Sequence, residues 1–299
     1  MPEGMARRYA IRDVLGEAVE RLAAAGVTDP RREARTLWAA VAGRGVKPGD
    51  VWLRRDRPPA RDVARRFRRA VERRASGMPF GYAVGQAHFR TLELGLDPRA
   101  LIPRPETEGL VELVLRETRK REAGGGRRGV VADIGTGCGC IALSLAVEGG
   151  FERVIAVERS TDAAALACEN VALVQPSVPV EVREGDLLAP LAGERFRAIV
   201  SNPPYLTEAE YTALDPAVRL FEPREALVSG ADGLAATRAL LAGARALLEP
   251  GGVVALELDE RRAHTVRALA LRHGWSRVAV YDDLFGRPRF LLAGLEEGV

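Results

Sequence analysis

From residue 130 onward, short aliphatic runs alternate with longer helix-forming stretches, and this alternation does most to restrict the fold. The runs are Val130 to Ile134, Arg153 to Val157, Val180 to Val182, Phe196 to Val200 and Val253 to Leu256, the last preceded by an alanine- and leucine-rich helix over 234–248. Strands that alternate with helices are the mark of a parallel, doubly wound sheet. The rhythm then changes. Trp275 to Tyr281 and Pro288 to Leu292 are joined by a short polar turn, too short for a crossover helix, so these two strands are expected to pair antiparallel. The expectation is an α/β fold with a seven-stranded, mostly parallel sheet that ends in an antiparallel pair.

The first 80 residues carry no strand-like alternation and read as a small all-helical domain. Val14, Leu15, Val19 and Leu22 recur at helical spacing, with Gly26 closing the segment. Asp29-Pro30 offers an N-cap followed by a first-turn proline, opening a helix through Leu37, Trp38 and Val41. Residues 61–75 place Val63, Ala64, Phe67, Ala70 and Val71 on one face, and Gly77-Met78-Pro79 ends that helix. His88 to Leu94 is strand-like, between Gly85 and Gly95, and suggests a β-hairpin connector over 81–103. A helix through Leu110 to Leu115 follows and runs to a Gly124-Gly125-Gly126 linker. The domains expected are therefore 1–80, a connector 81–103, and 104–299.

Charge is divided between these parts. Residues 1–80 hold 19 Arg and Lys against 10 Asp and Glu, and the remainder holds 25 against 31, within a total of +3. The basic end would draw the chain toward RNA or an RNA-rich assembly, or it is simply a solvated helix surface. No window approaches the ~18 apolar residues of a membrane span, and Met1 to Tyr9 has neither the apolar core nor the cleavage site of a signal peptide. Three cysteines are too few for a disulfide framework, so a reducing, cytoplasmic setting is expected. His88, His264 and His273 are scattered and show no metal-ligand spacing, so no metal is expected.

Asp133-Ile134-Gly135-Thr136-Gly137-Cys138-Gly139 lies between the first strand of the sheet and a helix. Glycines here let backbone approach a ligand, at the sheet edge where such folds bind nucleosides. The spacing G-x-G-x-G differs from the dinucleotide fingerprint, which places its third glycine one residue later. It suits a smaller nucleoside carrying an amino-acid tail, such as S-adenosylmethionine. Glu158 ends the second strand, where a carboxylate can accept both ribose hydroxyls. Asp186, in Glu184-Gly185-Asp186-Leu187 after the third, is placed to accept from an adenine amino group, or to serve as an N-cap or turn residue.

Asn202-Pro203-Pro204-Tyr205 directly follows the fourth strand. An amide or exocyclic amine is a poor nucleophile, because its lone pair is delocalised. The Asn202 side-chain oxygen and the Pro203 carbonyl can both accept from a planar NH₂, orienting it toward a methyl donor and favouring positive charge on nitrogen. Two prolines stiffen the loop, and Tyr205 offers a flat face to a planar group. No side chain stands out as a general base.

These motifs make the chain similar to the HemK-type N5-glutamine methyltransferases of peptide chain release factors, which are class-I S-adenosylmethionine-dependent enzymes. The likeness covers nearly the whole chain and includes Pro103-Arg104-Pro105-Glu106-Thr107-Glu108, Phe221-Glu222-Pro223-Arg224, Asp232-Gly233-Leu234 and Asp283 to Arg289. The Asn-Pro-Pro-Tyr loop is shared with adenine-N6 and guanine-N2 nucleic-acid methyltransferases, and the Pro103–Glu108 and Phe221–Arg224 segments narrow the choice. The resemblance implies a substrate-recognising helical domain before the methyltransferase domain. It implies that Gly135, Thr136, Gly137, Cys138, Gly139, Glu158, Asp186 or Leu187, and Asn202 bind the cofactor. Asn202, Pro203, Pro204 and Tyr205 would hold the glutamine of a Gly-Gly-Gln loop, with Asn202, Pro203 and Tyr205 carrying the catalysis. Cys138 stands where the family more often has a hydroxyl or small residue, and 256–261 lacks a glycine that the family often places after the fifth strand. Two other readings remain: an amino-group methyltransferase of RNA or DNA, and a catalytically silent adaptor that binds RNA or ribosome.

Overall fold

The computed structural model describes residues 9–43, 45–123 and 129–294, and the expected linker Gly124–Gly126 lies outside them. The chain divides into two compact units, Met1–Gly85 and Gln86–Val299. The division falls inside the span 81–103 that had been expected to form a connector.

Among its described residues the first unit holds five helices: α1 (Ile11–Ala24), α2 (Pro30–Ala42), α3 (Pro48–Leu53), α4 (Arg61–Ala75) and α5 (Phe80–Val84). Asp29 caps α2 as its sequence suggests, Oδ1 accepting from Arg32 N at 3.1 Å. Helix α3 was not anticipated. Pro48 occupies its first turn, and Asp50 Oδ2 accepts from Lys47 N at 2.9 Å, so a six-residue helix forms with little apolar periodicity to announce it. Helix α5, also unexpected, stops at Gly85 in the left-handed region. Val14, Leu22, Leu37, Phe67 and Val71 bury the inner faces, with Trp38 edge-on to Phe67 at 5.0 Å between ring centres. Several arginines of the basic end are paired, Arg21 with Glu72 and Arg74 with Glu33.

The second unit opens with an antiparallel hairpin, β1 (Gln86–Phe89) and β2 (Leu92–Gly95). The strand-like run His88–Leu94 is therefore not one strand; it reverses at Arg90 and Thr91. Arg90 adopts φ 51°, a costly conformation for a non-glycine residue. Its guanidinium is held by Glu148 at 2.8 and 2.7 Å and by Glu112 at 3.0 Å, while its backbone N–H donates to Glu108 Oε1 at 2.9 Å. Tertiary partners pin the turn.

Next come α6 (Thr107–Ala123), β3 (Val130–Ile134), α7 (Cys140–Glu148), β4 (Arg153–Glu158), α8 (Thr161–Val174), β5 (Val180–Glu184) and β6 (Phe196–Ser201). Two short helices, α9 (Glu208–Thr212) and α10 (Pro216–Phe221), precede α11 (Ala235–Gly243), β7 (Leu248–Glu257), α12 (Ala263–Arg272), β8 (Arg277–Asp282) and β9 (Pro288–Gly294). Among the described residues β3 to β9 form one seven-stranded sheet in the order β5-β4-β3-β6-β7-β9-β8. The first five are mutually parallel, and β9 runs antiparallel to both β7 and β8, as the short turn between them requires. The core includes Ile134, Phe196, Leu240, Leu256, Val266 and Trp275, the indole N–H of Trp275 donating to Leu241 O at 2.9 Å. At the edge, β5 carries Glu181 and Arg183, paired to each other at 2.8 Å, and Arg183 also reaches Glu194. Among the described residues no helix is long and apolar enough to cross a membrane.

Strand order reverses at β3: the chain leaves it toward β4 and later returns to its other side with β6. The crevice beyond the carboxyl ends of strands at such a switch point is where doubly wound sheets bind ligands.

Candidate active site

The loop after β3 is built on Asp133, which is fully buried. Its Oδ2 accepts from Thr136 Oγ1 at 2.5 Å and from Ala142 N at 3.1 Å, tying the loop to the first turn of α7. Oδ1 has no hydrogen-bond partner among the described residues. Burial pushes the Asp133 carboxyl up to about 7, while the bonds from Thr136 and Ala142 pull the other way. Gly135, Gly137 and Gly139 all have positive φ, at 71°, 57° and 86°, which only glycine adopts without strain. A Cβ built on Gly135 would meet nothing within 4 Å, so bare backbone faces open space there.

Glu158, at the end of β4, fastens this loop from the side. Oε2 accepts from Gly137 N and Oε1 from Ser160 N, both at 2.9 Å. Each oxygen keeps a second lone pair, so the carboxylate can still accept from hydroxyls. From below, Asn170 of α8 donates to Cys138 O at 2.9 Å and to Gly95 O at 3.0 Å, and its own oxygen accepts from Gly95 N at 2.7 Å. This clamp between glycine loop and hairpin had not been anticipated. A lone asparagine on the buried side of an alanine-rich helix was its only sequence signal.

A cleft of about 680 Å³ opens here. Gly135, Gly137, Glu158, Asp186, Leu187, Asn202 and Pro204 line it, so three strand ends and the loop after β6 converge as their sequence positions suggest. Gly185, before Asp186, leaves no room for a side chain, since a Cβ would fall 2.3 Å from Pro190 Cγ. Other expected site residues stand back from the cleft wall. Thr136 and Cys138 are buried, Thr136 against Asp133 and Cys138 through its carbonyl to Asn170. Gly139 caps α7, and Pro203 is buried. Tyr205 is half-buried and not among the cleft-lining residues. Burial, with the Glu257 charge nearby, pushes its phenol up to about 12, so the ring stays neutral.

Asn202 Nδ2 donates to Thr107 Oγ1 at 3.1 Å, and Thr107 Oγ1 donates to Glu257 Oε2 at 2.7 Å. One of the two amide protons of Asn202 is thus engaged, and among the described residues no donor reaches its oxygen. Glu257 is buried, and desolvation pushes its carboxyl up to about 7 against the Thr107 bond that favours its charge. Neither Thr107 nor Glu257 was singled out from sequence as a functional side chain.

In size and donor set the cleft fits a nucleoside with an amino-acid tail: bare glycine backbone, one strand-end carboxylate and an asparagine amide. Among the described residues no group of His, Cys, Asp or Glu is placed to hold a metal ion.

Residues 13–85 match the PrmC N-terminal domain family, and residues 112–231 match the methyltransferase small domain family. The release factor glutamine methyltransferase of Moorella thermoacetica is 42% identical over 286 residues, spanning 95% of this chain and 98% of the relative. That of Deinococcus radiodurans is 41% identical over 283 residues, with the same shares. The chain belongs to the release factor glutamine methyltransferase family. It is a methyltransferase with a PrmC-type helical domain ahead of the catalytic sheet. Two solved structures share the fold. A methyltransferase from Pyrococcus furiosus superposes with a TM-score of 0.51 at 21% identity, over 69% of this chain and 89% of its own. The N-terminal domain of human METTL16, solved in complex with SAH, gives 0.51 at 17% identity, over 78% and 82%.

Proposed function

We propose that this protein methylates the side-chain amide nitrogen, N5, of a glutamine in peptide chain release factors, within their Gly-Gly-Gln loop, with S-adenosylmethionine as the donor. The observation that carries the reading is the convergence on one cleft of the glycine loop, Glu158 and the Asn202–Pro204 loop, in a chain of this family.

Gly135 to Gly139 and Asn202 hold the amino-acid end of the cofactor, the latter through its remaining amide proton. Glu158 takes the ribose hydroxyls, and Asp186 and Leu187 flank the adenine. When bound, the cofactor supplies an electrophilic methyl group. Asn202 Oδ1 and the Pro203 carbonyl accept hydrogen bonds from the two protons of the target NH₂, fixing its lone pair in line and favouring the positive charge that nitrogen acquires. One of those protons then leaves to solvent to give the neutral methyl amide. Pro203 and Pro204 keep those acceptors aimed, and the neutral Tyr205 ring offers a face to the planar amide from outside the cofactor cleft. The first unit recruits the protein substrate, in the cytoplasm.

Purified protein incubated with methyl-labelled S-adenosylmethionine tests this against release factors and total RNA side by side. Label is expected on a release factor and is expected to vanish when the glutamine of its Gly-Gly-Gln loop is replaced. Label on RNA, with none on release factor, would transfer the site to amino-group methylation of nucleic acid. No label on either would favour a silent adaptor.

A further inference from the structure

Asn202 follows the end of β6, Glu257 ends β7, and Thr107 opens α6. Strands β6 and β7 pair in parallel with Ser201 beside Leu256, so the next residues, Asn202 and Glu257, reach the same level at the sheet edge. Thr107 joins them through hydrogen bonds of 3.1 and 2.7 Å. Both Thr107 and Glu257 are only 2% exposed, which shields the chain of bonds from solvent.

A carboxamide turned by half a revolution exchanges oxygen for NH₂ with almost no change of shape, so hydrogen bonding alone chooses its face. An ionised carboxylate only accepts. With Glu257 charged, the single Thr107 proton must go to it, and the hydroxyl is left as an acceptor toward Asn202. The asparagine then presents its NH₂ to Thr107 and keeps its oxygen for another donor. We propose that Thr107 and Glu257 are positioning residues that set the polarity of the Asn202 carboxamide, holding its oxygen toward the target NH₂; this rests on the reading of Asn202 as the acceptor for the substrate amide.

The reverse case shows what the arrangement protects against. A protonated Glu257 can donate to Thr107, whose own proton is then free for Asn202. The carboxamide turns, and its NH₂ faces the substrate NH₂, two donors with nothing to accept. Burial raises Glu257 into the range where this exchange is measurable. The groups around it are Arg104 and Glu106 before α6, Thr107, Arg289 of β9, and Tyr205 after β6. The two arginines favour its charge and Glu106 opposes it.

Single-turnover methyl transfer to a purified release factor, followed between about pH 5.5 and 9, tests this on the full-length protein. The variants are Thr107→Val, Thr107→Ser, Glu257→Gln and Asn202→Ala, each also titrated with S-adenosylhomocysteine by calorimetry. Thr107→Val is expected to lower the saturating rate on the order of 10²-fold, the size of a misplaced reacting group, with a smaller loss of S-adenosylhomocysteine affinity, since only one of the cofactor contacts runs through Asn202. Thr107→Ser keeps the hydroxyl and should recover most of the rate. The wild-type rate should fall toward acid pH, and Glu257→Gln, which cannot ionise, should be slow with that acid limb gone. If Asn202→Ala is inactive while Thr107→Val and Glu257→Gln keep the wild-type rate and pH profile, the positioning role is overturned and the acceptor reading stands. A Thr107→Ser protein as slow as Thr107→Val would also overturn it. If Asn202→Ala itself turns over like wild type, the acceptor reading falls and this inference with it.

Discussion

Arg104 Nη2 lies 2.8 and 2.9 Å from the two carboxylate oxygens of Glu222, a residue 118 positions further along the chain. Ile102 N donates to the same carboxylate at 3.3 Å. The Glu222 side chain is 1% exposed, so its charge is held by these donors rather than by water. The contact fastens the segment leading into α6 to Pro223–Ala226, part of which lines the cleft.

Replacing Glu222 with Ala should leave Arg104 and Ile102 N without an acceptor, at a cost of roughly 1–3 kcal/mol. The urea midpoint should fall with the slope unchanged. Glu222→Gln keeps an acceptor for Ile102 N and should lose less. A midpoint equal to wild type in the alanine variant would show that the contact contributes nothing to stability.

Gly137→Val places a branched side chain at φ +57°, on a backbone that also faces the cleft. Strain of this kind costs about 1–3 kcal/mol, and the added bulk occupies space that the ligand needs. Calorimetry should show cofactor binding lost while thermal unfolding stays cooperative. Unchanged affinity would remove the glycine loop from the cofactor site.

Asn170→Ala deletes all three bonds of the clamp and leaves Cys138 O, Gly95 O and Gly95 N to find new partners. The expected loss is about 2 kcal/mol or more, since buried groups are left unsatisfied. Cofactor affinity should weaken as well, because Cys138 sits inside the glycine loop. Destabilisation with full affinity would separate the clamp from ligand binding.

Asp133 predicts a pH dependence of stability. Its folded carboxyl is raised to about 7 from an ordinary value near 4, so between those limits the native state binds more protons than the unfolded chain. The Asp133 contribution to stability therefore declines as pH rises from about 4 to 7 and is flat above. Asp133→Asn keeps an acceptor for Thr136 and Ala142 and removes the titration. The difference in Tm between wild type and variant should change across that window; a constant difference would contradict the raised value.

The parallel sheet was legible because its strands are short aliphatic runs at crossover spacing, and the final antiparallel pair because its connection is too short for a helix. The cleft was legible in the same way. Gly135 to Gly139, Glu158, Asp186 and Asn202 all sit at strand ends, and topology brings strand ends together. What escaped has its cause at long range. The hairpin was expected, but the place of its reversal was not: Arg90 is held by Glu148, 58 positions away, and no local turn residue marks it. Thr107 and Glu257 stand 150 positions apart, and neither has a neighbour that suggests a bond between them. The resemblance implied Thr136 and Cys138 as cofactor residues, and local sequence did not show that both side chains are buried, Thr136 against Asp133.

The outermost parallel strand has a consequence for the protein in concentrated solution. Among the described residues no strand pairs with the outer side of β5, the kind of edge along which sheets of separate molecules join. Here Glu181 and Arg183 hold each other beside that edge, and Arg183 and Arg153 both reach Glu194. A strand added at that edge would bring its side chains beside these charges, and apolar ones would strip water from them without offering a partner. Charges of this kind on an outer strand select against an apolar strand from a second copy of the chain.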